Sequence, residues 1–181
     1  MKDFRIFIFT PAGHDDPSLA IAASRAQGIG IFNAECHTDP KPVIQALERL
    51  AEFARNSYGL KLGQNPQDEL LEIVLDHYSK GLHWVIFYAE SALHQTKWIN
   101  AYRDAGGQVL IEVCRWEDGD RLAALKIDGW IVKGHEAGGP VGEETTFILL
   151  QKALAATDLP VYAHGGVGMH TGAACFAAGA A

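Results

Sequence analysis

The stretch "IVKGHEAGGPVGEETTFILLQKALAATDLPVYAHGGVG" (Ile131–Gly168) carries the pattern that decides the fold class. A short apolar run ends in a polar, glycine-rich segment. "TTFILLQKALAAT" follows with helical spacing, and a second apolar run, "LPVYA" (159–163), ends in another Gly pair. An apolar run, a helix and an apolar run in that order read as a strand, a crossover helix and a parallel strand. Both glycine-rich segments then stand at strand carboxyl ends.

The same unit recurs on either side. Further apolar runs are "FRIFIF" (4–9), "GIGIFN" (28–33), "YGLKL" (58–62), "LHWVIFY" (82–88), "QVLIEV" (108–113) and "IDGWIV" (127–132), giving seven strand candidates with "LPVYA". Between them, Val43, Ile44, Leu47, Leu50, Phe53 and Ala54 make one helical stripe, and Leu70, Leu71, Val74, Leu75 and Tyr78 another; "ALHQTKWINAYRDA" reads as a further helix. Nearly continuous apolar strands alternating with helices indicate a parallel sheet covered by helices, so the class is α/β.

A doubly wound open sheet and a (β/α)8 barrel both satisfy this alternation. Seven units without a break in rhythm favour the (β/α)8 TIM-barrel type. A closed barrel takes eight strands and typically about 250 residues, so an incomplete barrel of about seven β/α units is expected, its last helix ending at Gly179. The chain 1–181 is read as a single domain and as the N-terminal part of a longer chain. The alternative is that a second copy, as a homodimer, supplies the missing strand, because an uncovered parallel edge invites pairing.

Composition limits the partners. With 181 residues, 48% hydrophobic and 20% charged, the chain can bury a substantial core. A formal charge of -7 with scattered Lys and Arg provides no basic footprint for nucleic acid or anionic lipid. No apolar run approaches the roughly 20 residues that cross a bilayer, and the start lacks the features of a signal peptide, so a cytoplasmic protein is expected. Cys36, Cys114 and Cys175 show no C-x-x-C spacing and read as small apolar residues of a reducing compartment.

Ligands of both architectures bind at strand carboxyl ends, which are conspicuously polar or glycine-rich here. They carry Thr10, Pro11, Ala12, Gly13 and His14; Asn33 and Glu35; Lys61; Glu90; Glu112; Lys133, Gly134, His135 and Glu136; and His164, Gly165 and Gly166. A Gly pair before a helix lets backbone N–H groups approach a phosphate, helped by the helix dipole, although such a pair also simply makes tight turns. "EAGGPVGEE" offers a surface for a flat ring or ribityl chain, with the next helix expected to start near Glu143 or Glu144. Strand-end lysines serve either a cofactor or a salt bridge to Glu90, Glu112 or Glu136. His14, His135, His164 and nearby Glu residues have no compact ligand spacing, and no metal is expected.

"VKGHEAGGPVG" followed by "VYAHGGVG", with the opening "TPAGHDDPSLAIAASRAQGIGIFNAE", resembles the nitronate monooxygenase (2-nitropropane dioxygenase) family, which includes FMN-dependent enoyl-acyl carrier protein reductases. The extension "GPVGEETTFILLQ" looks like copies of this domain in polyketide and polyunsaturated fatty acid synthases. The resemblance implies an FMN-binding barrel and an oxidoreductase acting on a small molecule or an acyl thioester, with NAD(P)H as electron donor and other synthase domains as partners. Thr10, Ala12 and Gly13 would run beside the flavin ring, Lys61 and Lys133 would point toward it, Gly138 and Gly139 would line its tail, and Gly165 and Gly166 would hold its phosphate. The family typically places an acid–base His directly after the first Gly pair, where this sequence has Pro140. Proline has no ionisable group and no N–H, leaving His135 and His164 as the catalytic candidates. The alternative is a catalytically inactive barrel acting as a structural or docking module.

Overall fold

The computed structural model describes residues 4–122 and 124–181. Two compact units divide the chain, Arg5–Val109 and Leu110–Ala181 with Phe4. Each is a run of parallel strands that pair with their chain neighbours.

In the first unit the strands are β1 (Phe7–Phe9), β2 (Ile29–Asn33), β3 (Tyr58–Lys61) and β4 (Trp84–Tyr88). Register pairs such as Ile31 with Phe9, Gly30 with Tyr58 and Leu60 with Val85 define the parallel ladder. Every residue of β2, β3 and β4 is buried, which accounts for their unbroken apolar reading. The helices are α1 (Ser18–Arg25), α2 (Pro40–Phe53), α3 (Asp68–Tyr78), α4 (Ala89–Ala92) and α5 (Thr96–Asp104).

Local chemistry sets the helix ends. Asp39 caps α2, its Oδ1 accepting the Lys41 N–H at 2.9 Å, and Pro40 follows with its φ already helical. Val43, Ala46, Leu47 and Leu50 form the buried face of α2. The stripe expected there is too wide, because Phe53 lies at the exposed end of the helix and Ile44 is only half-buried. "ALHQTKWINAYRDA" is not one helix: a turn over 93–95 separates α4 from α5, and Thr96 Oγ1 donates to the Leu93 carbonyl at 2.9 Å. Trp98 Nε1 on α5 donates to Asp68 Oδ1 on α3 at 3.0 Å. Burial pushes the Tyr102 phenol far above its ordinary range, and its hydroxyl donates to the Leu71 carbonyl.

In the second unit β5 (Gln108–Val113, entering at Leu110), β6 (Gly129–Lys133) and β7 (Val161–His164) pair in parallel, with Ile111 opposite Trp130 and Lys133 opposite His164. The helices are α6 (Trp116–Leu122), α7 (Thr146–Ala156) and α8 (Met169–Ala178). α6 had no legible stripe. It is seven residues long, and it buries Trp116, Gly119 and Leu122, with the Trp116 ring against Gly119. α7 begins later than Glu143 or Glu144 because the Thr145 hydroxyl accepts the Ile148 N–H at 3.3 Å and caps it there. α8 ends as expected, with Gly179 in the left-handed region at φ 116°. Ala181 N–H then donates to the Val161 carbonyl at 3.0 Å.

The class is therefore α/β of the TIM-barrel type, with seven β/α units among the described residues, one fewer than a closed (β/α)8 barrel. No described helix is long and apolar enough to cross a membrane. The three cysteines are free thiols, Cys175 buried, Cys114 half-buried and Cys36 exposed.

Candidate active site at the strand carboxyl ends

Each unit holds a buried charge cluster at its strand ends. In the first, Lys61 closes β3 with its side chain 1% exposed, and Nζ lies 3.0 Å from Oε2 of Glu35, itself 8% exposed. The ammonium also stands 5.4 Å from the centroid of the Tyr88 ring at the end of β4. Asn33 positions Glu35, its Oδ1 accepting the Glu35 N–H at 3.0 Å. Thr10 positions Asn33 in turn: its Oγ1 accepts the Asn33 N–H at 2.9 Å while its own N–H donates to Ile31. Thr10 is thus a buried fastener between strand ends. Ala12 and Gly13 lie in the exposed loop beyond it, Gly13 at φ 76°. In that loop Asp15 Oδ1 lies 2.9 Å from His37 Nε2.

In the second unit Glu112 on β5, Lys133 ending β6 and His164 ending β7 come together. Their side chains are 0%, 1% and 28% exposed. Glu112 Oε1 lies 3.5 Å from Lys133 Nζ, and Oε2 lies 3.2 Å from His164 Nδ1. A buried charge needs a charged partner, and here the strand register supplies it.

The loop between β6 and α7 is held by Glu136. Its Oε2 accepts the Thr146 backbone N–H at 2.9 Å and lies 3.0 Å from Thr146 Oγ1. That hydroxyl is also 3.1 Å from the His164 carbonyl and 2.8 Å from the Gly165 carbonyl, so three acceptors stand within reach of its single proton. Desolvation raises the Glu136 pKa, but the bonds from the Thr146 N–H, its own N–H and the Thr146 hydroxyl, with His135 nearby, outweigh it and hold the carboxyl below its ordinary value. Gly134 permits this closure: a Cβ there would stand 2.1 Å from Thr146 N.

The remaining sequence candidates divide. His135 is exposed, with its backbone N–H donating to Glu144 at 2.9 Å. Gly138 and Gly139 are exposed, with Gly139 at φ 76° and nothing within 4 Å of a Cβ built on Gly138. Pro140 is exposed beside them, its carbonyl 3.5 Å from Cys114 Sγ. Gly165 and Gly166 have φ of 106° and 60° and lead into α8 through Gly168, whose N–H donates to Thr171 Oγ1 at 2.7 Å. Among the described residues no protein acceptor takes the N–H of Gly166 or Val167.

Both lysines have carboxylate partners: Lys133 lies beside Glu112, one of the partners expected for the strand-end lysines, and Lys61 pairs with Glu35, which was not among them. Glu35 and Glu112 were expected at strand ends, Glu112 also as a lysine partner, but Thr146 was absent from the expected site residues. A legible signal existed for Glu112, an acidic residue inside the apolar run "QVLIEV". Thr146 reads only as part of a helix start.

The family model for nitronate monooxygenase matches residues 32–181. The chain belongs to the nitronate monooxygenase family. Its backbone is similar to FabK from Thermotoga maritima, at 29% identity and TM-score 0.83, covering 97% of this chain and 55% of that one. A FabK point mutant from the same organism gives 28% identity and TM-score 0.85, with coverage of 98% and 59%. A nitroalkane oxidase from Streptomyces ansochromogenes shares the fold at 22% identity and TM-score 0.81, covering 97% of this chain and 63% of that one. This member of the nitronate monooxygenase family thus spans 55 to 63% of the length of those three structures. No curated protein matches the sequence.

Proposed function

We propose that this chain is part of an FMN-dependent oxidoreductase that acts on an acyl thioester within a polyketide or fatty acid synthase, with NAD(P)H as electron donor. The observation that carries the reading is the glycine-rich turn Gly165–Gly168. It is exposed from Gly166 onward, left-handed at two positions and followed by a ten-residue helix, with two N–H groups directed to no protein acceptor among the described residues. That chemistry fits a phosphate monoester.

The other residues fit a flavin as well. Gly138 has open space where a Cβ would stand, which suits close approach of a flat ring or its tail. FMN when bound supplies hydride transfer between nicotinamide and substrate. Lys61 and Lys133 present ammonium donors held in place by Glu35 and Glu112, and the acid–base role falls to His164 or His135. Membership of the nitronate monooxygenase family supports flavin chemistry, and the resemblance of "GPVGEETTFILLQ" to synthase-borne domains supports the substrate class. A cytoplasmic location and association with other synthase domains or a second copy belong to the same proposal.

Pro140, in place of the usual acid–base His, favours the second reading, a docking module without catalysis. The visible absorption spectrum of the purified protein, taken after adding and then removing excess FMN, separates the two. Retained flavin that NAD(P)H bleaches supports the oxidoreductase. Loss of all flavin leaves the docking module.

A further inference from the structure

We propose that Glu112 is a positioning residue that fixes His164 in its Nδ1–H tautomer, making Nε2 the proton-exchanging atom of this strand-end site. The inference rests on the oxidoreductase reading for its use in turnover, but its physical core concerns three side chains of this chain alone.

Glu112 emerges from the interior of β5 with no exposed surface, and each of its two oxygens faces a different side chain. Oε1 faces Lys133 Nζ at 3.5 Å and Oε2 faces His164 Nδ1 at 3.2 Å. A carboxylate only accepts hydrogen bonds, so the proton between Oε2 and the ring belongs to Nδ1. In the neutral ring the second nitrogen, Nε2, is then the one with the lone pair. When Nε2 takes a proton from a donor, the ring becomes an imidazolium and its positive charge sits beside the Glu112 carboxylate. When it returns the proton, the same tautomer is restored. A carboxylate that orients an imidazole in this way sets both its tautomer and its direction.

Neither neighbouring loop residue is held for this role. Pro140 cannot exchange a proton, and His135 is exposed with no side-chain bond among the described residues. His164 ends β7 in register with Lys133, and its backbone carbonyl accepts the Gly134 N–H at 3.1 Å. Its ring is therefore held at the backbone and at Nδ1, while 28% of its side chain stays exposed for a substrate to reach. Lys133 holds Glu112 from the other side, which keeps Oε2 directed at the ring.

The test is long-range ring ¹H–¹⁵N NMR of the full chain, with His164 assigned by comparison with His164→Gln. Neutral His164 is expected with a proton on Nδ1 and none on Nε2, and Glu112→Gln is expected to produce a mixture of tautomers. A neutral ring protonated on Nε2 in the wild type overturns the proposal even if no variant folds, as does an unchanged tautomer in a folded Glu112→Gln. In flavin-loaded protein, Glu112→Gln should lower kcat about 100-fold and displace its pH profile with KM little changed, and Glu112→Asp should recover part of the loss. Flavin retention is read separately by visible absorbance. FMN bound beside the wrong tautomer overturns this inference alone, whereas the expected tautomer without FMN overturns only the oxidoreductase reading.

Discussion

Glu136 reaches across its own loop to Thr146, accepting the backbone N–H at the start of α7 at 2.9 Å and approaching the hydroxyl at 3.0 Å. The acidic residue of the "EAGG" motif thus ties the β6 loop to the next helix. Its first consequence is a pH dependence. Because the folded pKa lies below the ordinary 4.5, Glu136 contributes stability that is present above 4.5 and is lost as pH falls through the lower folded value. Urea midpoints measured across that acidic range should fall for the wild type and show a smaller fall for Glu136→Gln. Because Glu136 is exposed, the effect is modest.

Removing Lys133 should be among the costliest single changes. Lys133→Met removes the ammonium 3.5 Å from the fully buried Glu112 carboxylate, and breaking a buried pair in this way costs about 3–5 kcal/mol. The double variant Lys133→Met, Glu112→Leu should recover much of that loss. Urea denaturation of the three proteins checks it, and equal stabilities for wild type and Lys133→Met would show that the pair does not hold.

Thr10→Val keeps shape but removes the acceptor for the buried Asn33 N–H. A loss of about 1–3 kcal/mol is expected, the cost of an unsatisfied buried donor. Asn33 in turn carries Glu35 toward Lys61, so the change should also weaken flavin retention if the cofactor reading holds. Parallel unfolding curves and flavin titrations separate the two effects.

Two glycines of one loop should respond in opposite ways. Gly134→Ala drives a Cβ into the Thr146 backbone and should cost at least about 1–3 kcal/mol. Gly138→Ala meets nothing within 4 Å and should leave stability within about 1 kcal/mol of wild type while lowering FMN affinity. If both stability and FMN affinity survive Gly138→Ala, that glycine does not line the flavin site.

The strand set was legible because burial of both faces leaves an apolar run that needs no tertiary information: "QVLIEV" became β5 over the same six residues. Helices with wide stripes, α2 and α3, were legible for a similar reason. α6 was not, because seven residues stabilised by Trp116 folding over Gly119 show too little periodicity, and the turn over 93–95 that splits α4 from α5 carries no proline or glycine to mark it. In the site, the strand-end positions of Lys61, Lys133 and His164 followed from the chain rhythm alone.

What the sequence by itself determined is the alternation of parallel strands and helices and the end of the strands where polar groups gather, since both follow from local periodicity and the position of glycine. Only the tertiary structure decided which charges meet. Glu35 reaches Lys61 across 26 residues and Glu112 reaches His164 across 52, because pairing of buried charges is set by strand register and depth. Neither quantity is written in the spacing of residues along one strand.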